Sequence, residues 1–328
     1  MNRQVMSHTQ EHLDRRPDLG EPLQLSLVIP VFNEEETIDL FIARVSQVFP
    51  DPQRVSLEYV FVNDGSSDGT LARLLALQAG TPGLRIVDLS RNFGKEAALS
   101  AGLQVAGGDV VVPIDVDLQD PPELIERWRE GYDVVLGRRV DRASDSWAKR
   151  SSANWFYRVH NRIADTVIPE NVGDFRLMDR QVVDALNDLP ESRRFMKGLF
   201  AWVGYRTTCI EYSRAERVAG NSKFNGWRLW NFALEGITSF STDPLKIWTY
   251  LGAIVSLSSF LFGMAIIAKV LIHGVDVPGY ASLMVAVTFL GGLQLIGIGV
   301  LGEYLGRTYL ESKRRPVYLV RRIYERKD

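Results

Sequence analysis

Two long segments of this sequence carry no charged residue, and they limit the possible folds more than any other feature. They are Ile247–Ala268 and Ala281–Gly302, each 22 residues long. A helix needs about 20 consecutive apolar residues to cross the hydrocarbon of a bilayer. The link His273–Gly279 between them contains Gly and Pro, which favour a turn. The pattern predicts a transmembrane helical hairpin over residues 245–306.

The alternative for these segments is a pair of buried core helices. Core helices of this length usually carry a polar stripe, whereas these segments are apolar or aromatic apart from Ser, Thr and Gln294. Glycines recur in the second segment, among them Gly291 and Gly297. Small residues allow helices to approach closely, either within the hairpin or between subunits. The glycines are therefore compatible with a homo-oligomer as well as with a monomer.

Basic residues indicate how the hairpin is oriented. Lys246 precedes the first segment, the link has no Lys or Arg, and seven basic residues lie between Lys313 and Lys327. Because cytoplasmic flanks of membrane helices are enriched in Lys and Arg, we predict an integral membrane protein with two spans. The domain that precedes the hairpin and both termini are predicted to be cytoplasmic, with residues 307–328 as a basic tail.

The remaining bulk properties agree with a cytoplasmic location. Residues 1–24 form a polar tail without the apolar stretch of a signal peptide. The single cysteine, Cys209, cannot form an internal disulfide, which fits a reducing compartment. The net charge of −2 gives no general attraction to nucleic acid.

Residues 25–212 alternate between apolar runs of strand length and helical patterns. Asn33–Thr37 is predicted to open the first helix, and Glu96–Ala106 is a later helix. Strands that alternate with helices predict an α/β fold with a mostly parallel sheet covered by helices on both faces. The predicted strands are Leu25–Pro30, Val55–Val62, Leu84–Leu89, Val110–Ile114 and Val134–Leu136.

Polar residues follow these strands where each strand ends. In open α/β sheets, ligands bind beyond the carboxyl ends of the strands, so four clusters at that edge predict one ligand site. The sequence has neither Gly-x-Gly-x-x-Gly after the first strand nor a P-loop motif, which argues against a nicotinamide-type or P-loop site. The clusters are Asn33 with Glu34, Asp64, Asp115 with Asp117, and Arg138 with Arg139.

The segment Asp115-Val116-Asp117-Leu118-Gln119 is the strongest candidate for a metal site. Side chains two positions apart point the same way while the chain is extended. Two carboxylates and an amide oxygen suit a divalent cation, Mg²⁺ or Mn²⁺, with phosphate oxygens completing its shell. The alternative is that these aspartates only cap a turn.

Four motifs of this sequence carry a family resemblance: Val28–Glu35, Val62–Thr70, Asp115–Pro122 and Gly173–Met178. Together they resemble the inverting GT-A glycosyltransferases of family 2. The closer similarity is to polyprenol-phosphate sugar synthases, which include dolichol-phosphate mannose synthase and the bacterial bactoprenol glucosyltransferases. The resemblance runs from about Leu25 to the C-terminus. It implies a Rossmann-like catalytic domain followed by interfacial helices and the hairpin.

The resemblance also implies roles for individual residues. Those lining the nucleotide-sugar pocket would be Pro30, Phe32, Glu34, Val62, Asp64, Asp115 and Val116, with Arg139 near the sugar or phosphates. Those holding the metal would be Asp115, Asp117 and Gln119, and Arg217 and Lys223 of a basic loop would meet phosphate. Phe32 stands where relatives often have Tyr, and Asn63-Asp64 where some have Asp-Asp, which leaves the base selectivity open.

The implied reaction transfers a hexose from a nucleotide sugar to polyprenyl (undecaprenyl) phosphate with inversion. The second pKa of a phosphate monoester is about 6, so the acceptor is mostly dianionic at pH 7 and needs no strong base. Asp174 would then position the acceptor or a sugar hydroxyl, or balance Arg176 and the basic loop; a purely structural partnership with Arg176 is the alternative. Lys95 could reach phosphates or be an exposed lysine at a helix start.

A lipid acceptor requires the site to lie at the membrane surface. Aromatic and basic residues are mixed in 147–162 and 223–232, which suits the interfacial zone, although ordinary amphipathic helices look the same. Residues 213–244 are predicted to form the acceptor loop and juxtamembrane helices. The basic tail could also bind anionic headgroups.

Three other functions compete with this one. A processive polysaccharide synthase needs Gln-x-x-Arg-Trp, but Leu124 stands at the Gln position before Arg127-Trp128. A membrane-tethered nucleotide-binding scaffold without catalysis is opposed by the complete acidic triplet. A GDP-mannose-dependent mannose synthase stays open. UDP-glucose is favoured because residues 172–201 resemble the bactoprenol glucosyltransferase branch.

Overall fold

The computed structural model describes residues 22–116, 123–139, 172–191, 194–212, 243–273 and 279–325. They belong to two compact units. The first unit contains the described residues up to 212 and residues 316–325, and the second contains residues 243–273 and 279–315.

The first unit is built on a mixed sheet. Its described strands are β1 (Leu23–Val31), β2 (Val55–Asn63), β3 (Leu84–Leu89), β4 (Val110–Pro113), β5 (Val134–Arg139), β6 (Val172–Asp179), β7 (Thr207–Tyr212) and β8 (Val320–Tyr324). Their order in the sheet is β7-β5-β6-β4-β1-β2-β3-β8. The centre, β4-β1-β2-β3, is parallel, as is β5 with β7; β6 is antiparallel to β4 and β5, and β8 to β3.

Helices connect the strands of this unit. They are α1 (Ile38–Val48), α2 (Thr70–Gln78), α3 (Lys95–Val105), α4 (Glu123–Arg129), α5 (Arg180–Asn187) and α6 (Met196–Trp202). The Rossmann-like, mostly parallel arrangement predicted from the alternation of strands and helices is therefore confirmed. The five predicted strands agree with β1 to β5 to within a few residues at each end.

Burial of the central strands on both faces explains why the sheet forms here. Leu27, Val28 and Ile29 are consecutive in β1 and at most 2% exposed, which is the pattern of strands covered by helices on both sides. Helix α3 packs tightly on this strand, since a Cβ at Gly102 would collide with Val28. The core thereby fixes the carboxyl ends of β1, β2 and β4 at one edge.

Two strand and helix ends differ from the sequence prediction. Strand β4 ends at Pro113, although the backbone N–H of Ile114 still donates to Val28 O at 2.9 Å. Proline has no N–H to donate, and β6 pairs with β4 only up to Val111. Helix α1 begins at Ile38, and the residues expected to open it form a loop that belongs to the site described below.

The second unit contains two long helices, α7 (Asp243–His273) and α8 (Tyr280–Ser312). They contact each other where the ring of Trp248 lies 3.4 Å from the Cβ position of Gly297. Among the described residues, a test of length and hydropathy selects one segment that could cross a membrane, Phe289–Ser312 in α8. Large apolar side chains stand exposed on both helices, such as Leu271 and Leu295.

Candidate active site

The loop after β1 presents the first cluster of predicted site residues. Asn33 has a left-handed backbone (φ 57°), which Asn tolerates better than most residues. Its N–H donates to Ser66 Oγ at 3.0 Å, and its Oδ1 accepts from Ser67 N at 2.9 Å. These bonds tie the β1–α1 loop to the β2–α2 loop, which is why Asn33 does not begin a helix.

The same loop sets the exposure of its neighbours. Phe32 is 47% exposed, and Pro30 and Glu34 are half-buried. The Glu34 N–H donates to Thr70 Oγ1 at 2.9 Å. An exposed aromatic ring on a loop held from both sides is suited to contact a flat base, and the pocket roles of Phe32 and Pro30 stay predictions.

Strand β2 contributes two predicted residues with different surroundings. Val62 is fully buried and packs near Gly102 of α3, so its side chain belongs to the core. Asp64 is 4% exposed, and its carboxylate accepts from the N–H groups of Phe93 (2.7 Å) and Gly94 (2.9 Å). Burial raises the pKa of Asp64 by more than these two hydrogen bonds lower it. Asp64 therefore fixes the β3–α3 loop.

Lys95 joins two carboxylates that are far apart in the sequence. Its Nζ lies 2.7 Å from Asp115 Oδ1 and 2.8 Å from Asp174 Oδ2. Burial lowers the pKa of Lys95, but the charges of Asp174 and Asp115 raise it more, so the net shift is upward. The ammonium is thus firmly protonated between the two carboxylates.

The topology explains how these carboxylates meet. Asp115 follows the carboxyl end of β4, whereas Asp174 lies near the start of β6, which runs antiparallel to β4. The start of β6 therefore lies at the same sheet edge as the end of β4. Arg138 at the end of β5 pairs in register with Val172. Arg139 follows it and ends β5 at this edge.

Asp174 is an ionised carboxylate in a largely buried position. Its side chain is 22% exposed. Burial raises its pKa, but Lys95 and Lys197 lower it more, so the pKa of Asp174 lies below its usual value. A carboxylate with a lowered pKa is a weak proton acceptor, which argues against a role as general base.

Arg176 is placed differently from the ion-pair partner considered in the sequence analysis. Its Nε donates to the backbone carbonyl of Asp174 at 3.3 Å, and its guanidinium stacks 3.8 Å from the ring centre of Phe200. Burial lowers the pKa of Arg176 to about 10, against the opposing charges of Asp174 and Glu96. The Asp174 carboxylate forms an ion pair with Lys95.

Glu96 is a titratable residue of this site that sequence reasoning missed. Its carboxylate accepts from Met196 N at 3.2 Å. Burial, followed by the charge of Asp174, raises the pKa of Glu96 to about 7. Its position in the first turn of α3, directly after Lys95, was the available signal, but the contact with Met196 spans 100 residues.

The predicted cation site is described in part. Asp115 offers a half-exposed carboxylate (52%) and Val116 is half-buried beside it. Within the described ranges, no group of three or more His, Cys, Asp or Glu is placed to hold a metal ion. Asp117 and Gln119 lie outside the described residues. The oxygen donors of this segment fit Mg²⁺ or Mn²⁺, and Asp115 follows the carboxyl end of β4.

Several predicted functional residues lie beyond what the structure describes. Arg217 and Lys223 are in 213–242, and the aromatic and basic stretches 147–162 and 223–232 also lie outside the described residues. For Arg139 the backbone is described and the side chain is not. The roles of these residues stay predictions.

Comparisons with known proteins identify a family and close relatives of this chain. The model of glycosyl transferase family 2 matches residues 26–186. A prophage bactoprenol glucosyl transferase homolog from Escherichia coli (strain K12) is 53% identical over 305 residues, 92% of this chain and 99% of that protein. The bactoprenol glucosyl transferase of Shigella phage SfV is 55% identical over 303 residues, 91% of this chain and 98% of that protein.

A solved structure also matches most of this chain. It is a mannosyltransferase from Pyrobaculum calidifontis in complex with GDP-mannose and Mn²⁺. The identity is 18%, the TM-score is 0.44, and the match covers 94% of this chain and 93% of that one. A similarity at this score says nothing about the site.

Proposed function

The chain belongs to glycosyl transferase family 2, and on that premise we propose that it transfers glucose to polyprenyl phosphate, with UDP-glucose as the favoured donor. The names of relatives that are 53–55% identical over most of this chain support a polyprenyl acceptor and glucose as the sugar. The donor nucleotide and inversion at the anomeric carbon are further parts of the proposal.

One observation in the molecule carries the proposal. A single ammonium, that of Lys95, joins Asp115 after β4 to Asp174 at the start of β6. This places cationic and anionic groups together at the carboxyl edge of the sheet, where nucleotide ligands bind in such folds. The loops that carry Phe32 and Asp64 reach the same edge.

The proposed reaction needs little proton transfer from the protein. A lipid monophosphate has a second pKa of about 6, so it is mostly a dianion at pH 7. One of its oxygens attacks the anomeric carbon while the bond to the diphosphate breaks, and the nucleoside diphosphate leaves with the electron pair. Attack from the opposite face inverts the configuration, so UDP-α-glucose gives a β-linked product.

The residues of the chain bind and orient the reactants in this scheme. Asp174 positions the acceptor indirectly, through the ammonium of Lys95, and Arg217, Lys223 and Arg139 neutralise phosphate oxygens. Asp115, Asp117 and Gln119 would hold a divalent cation, Mg²⁺ or Mn²⁺, which when bound neutralises charge on the diphosphate.

The membrane part of the proposal concerns the acceptor. A polyprenyl chain stays in the bilayer, and the long helices α7 and α8 support a two-span anchor that keeps the enzyme beside it. We propose that both termini and the catalytic domain are cytoplasmic, where nucleotide sugars are made. Residues 213–244 would form the loop that receives the lipid phosphate.

The test incubates the full chain, in detergent or membranes, with undecaprenyl phosphate and labelled UDP-glucose, UDP-galactose or GDP-mannose. We expect label from UDP-glucose in the organic phase, and loss of that label with EDTA or with Asp117→Ala. Asp39→Ala, on the surface of α1, is the matched control. Label found only in water-soluble polymer would contradict the lipid acceptor, and label from GDP-mannose alone would replace the donor.

A further inference from the structure

The side chain of Lys95 has an unusual position for a lysine. Its Nζ contacts both oxygens of Asp115, at 2.7 and 2.9 Å, and Asp174 Oδ2 at 2.8 Å. The side chain is nevertheless 43% exposed, and that of Asp115 is 52% exposed. Partly exposed ion pairs contribute little to folding stability. Stability alone therefore does not account for an ammonium at this point of the sheet.

The backbone before Lys95 is held in place by Asp64, which follows β2. Gly94 has φ of 97°, which favours glycine, and Lys95 begins α3 directly after it. The buried carboxylate of Asp64 accepts the N–H groups of Phe93 and Gly94. The base of the Lys95 side chain is thus held in place, while its long stem and ammonium keep freedom to exchange partners.

We propose that Lys95 is a phosphate-binding residue of the transfer reaction, held on Asp115 and Asp174 until the nucleotide sugar binds. The proposal rests on the proposed function, because it needs a diphosphate donor and a phosphate acceptor. Asp115 is an expected ligand of a divalent cation. The Lys95 ammonium lies 2.7 Å from Asp115 Oδ1, so a dication bound to the Asp115 oxygens repels it. Lys95 then needs another anion, and phosphate oxygens are the anions that this reaction brings.

Asp174 limits where the released ammonium goes. It lies across from Asp115 and keeps its negative charge, since its pKa is below the usual value. Lys95 consequently stays beside Asp174 at this edge of the sheet. The phosphate it meets belongs either to the departing diphosphate or to the attacking lipid monophosphate, and the two sources give different kinetic results.

The proposal predicts two affinity changes of opposite sign in Lys95→Met. Without nucleotide, Mn²⁺ should bind about 3- to 10-fold more tightly, because its ligand Asp115 loses a competing cation. With Mn²⁺ present, UDP should bind about 10-fold more weakly if Lys95 meets the donor diphosphate. If Lys95 meets the lipid phosphate, UDP affinity is kept and the KM for undecaprenyl phosphate rises by a similar factor. Both results support a phosphate-binding role.

The experiment uses the purified full chain with four proteins: wild type, Lys95→Met, Lys95→Arg and the control Arg73→Met. Arg73 of α2 forms a partly exposed ion pair with Asp39 of α1 at 2.6 Å, so its replacement tests the loss of a paired cation in general. Free Mn²⁺ is measured by electron paramagnetic resonance, and UDP and GDP are both titrated. Lys95→Arg should recover most of the phosphate binding.

Two outcomes would overturn the assignment. One is a Lys95→Met protein whose Mn²⁺ affinity does not rise, and the other is unchanged affinity for nucleotide together with unchanged KM for the lipid. A role in structure alone would weaken Mn²⁺ and nucleotide binding together, with a lowered Tm. Wild-type transfer of label to lipid is scored separately. If wild type transfers no label to lipid, but Lys95→Met still binds Mn²⁺ more tightly and UDP more weakly, the proposed acceptor is wrong and the phosphate-binding role of Lys95 stands.

Discussion

The carboxylate of Asp64 accepts a hydrogen bond of 2.9 Å from the backbone N–H of Gly94, the residue directly before Lys95. A second bond, from Phe93 N at 2.7 Å, occupies the other oxygen. These bonds join the end of β2, where the resemblance implied nucleotide contacts, to the start of α3. Lys95 is the first residue of α3. We therefore predict that nucleotide binding and the position of Lys95 are coupled through this loop.

The first prediction concerns this coupling. Asp64→Asn leaves one amide oxygen to accept two N–H groups, and an unpaired buried donor costs about 1–3 kcal/mol. We expect a lower Tm and weaker UDP binding. Asp51→Asn is the control, because Asp51 accepts the Gln53 N–H in an exposed turn. Wild-type nucleotide affinity in Asp64→Asn would contradict the coupling.

The sequence predicted the central sheet well because those strands carry continuous apolar runs. Leu84–Leu89 was predicted residue for residue, and burial on both faces accounts for its pattern. The start of α1 was predicted wrongly. Asn33 and Glu34 favour a helix start locally, but Asn33 bonds to Ser66 and Ser67 in another loop, and sequence spacing does not reveal such contacts.

The arrangement of the site was harder to predict than its composition. Asp115 and Asp174 were candidates from motifs, yet their contacts with Lys95 span 20 and 79 residues. The sequence left Lys95 open between a phosphate ligand and an exposed lysine. The strand β8 was not predicted, because its two arginines and exposed apolar residues look like part of a basic tail.

The second prediction concerns pH and Glu96. Its pKa is raised from 4.5 to about 7 in the folded protein, so the folded state binds the proton more tightly than the unfolded chain. The contribution of Glu96 to stability is therefore full below pH 4.5 and is lost as the pH rises to about 7. Asp174 adds to this loss, whereas Lys95 and Lys197 reduce it.

Glu96→Gln should remove that loss. We expect the variant to gain about 1–3 kcal/mol relative to wild type at pH 8, and to show a flatter dependence of Tm on pH between 5 and 8. The measurement is thermal unfolding across that range. Glu126→Gln, on the exposed face of α4, is the control. Parallel pH curves for Glu96→Gln and wild type would refute the assignment.

The third prediction separates positioning from base catalysis at Asp174. Asp174→Asn removes one of the two carboxylates on Lys95, so we expect kcat to fall about 10²-fold. The acid limb of the pH–rate profile should remain at about pH 6, where the lipid phosphate changes from dianion to monoanion. If Asp174 were the general base, that limb would be absent from the residual activity of the variant.

The fourth prediction tests the edge strand β8. Arg321 Nη1 lies 3.3 Å from Asp88 Oδ2, and Asp88 is 1% exposed and accepts from Asn63 Nδ2 at 2.8 Å. Asn63 Oδ1 in turn accepts the Ser66 N–H at 3.2 Å. Arg321→Gln removes the cation beside a buried carboxylate. We expect a loss of about 1–3 kcal/mol and weaker UDP binding, because the change reaches the loop that holds Asn33.

Arg322→Gln is the matched control for this prediction. Arg322 is the next residue of the same strand, and its guanidinium lies 5.0 Å from the ring centre of Tyr324. It is exposed, so its replacement should change stability by no more than about 0.5 kcal/mol. Thermal unfolding and UDP titration of the two variants show whether Arg321 contributes more to stability and to UDP affinity than Arg322 does. Equal effects would mean that β8 stabilises the sheet only through its backbone pairing with β3, and that Arg321 has no path to the nucleotide loop.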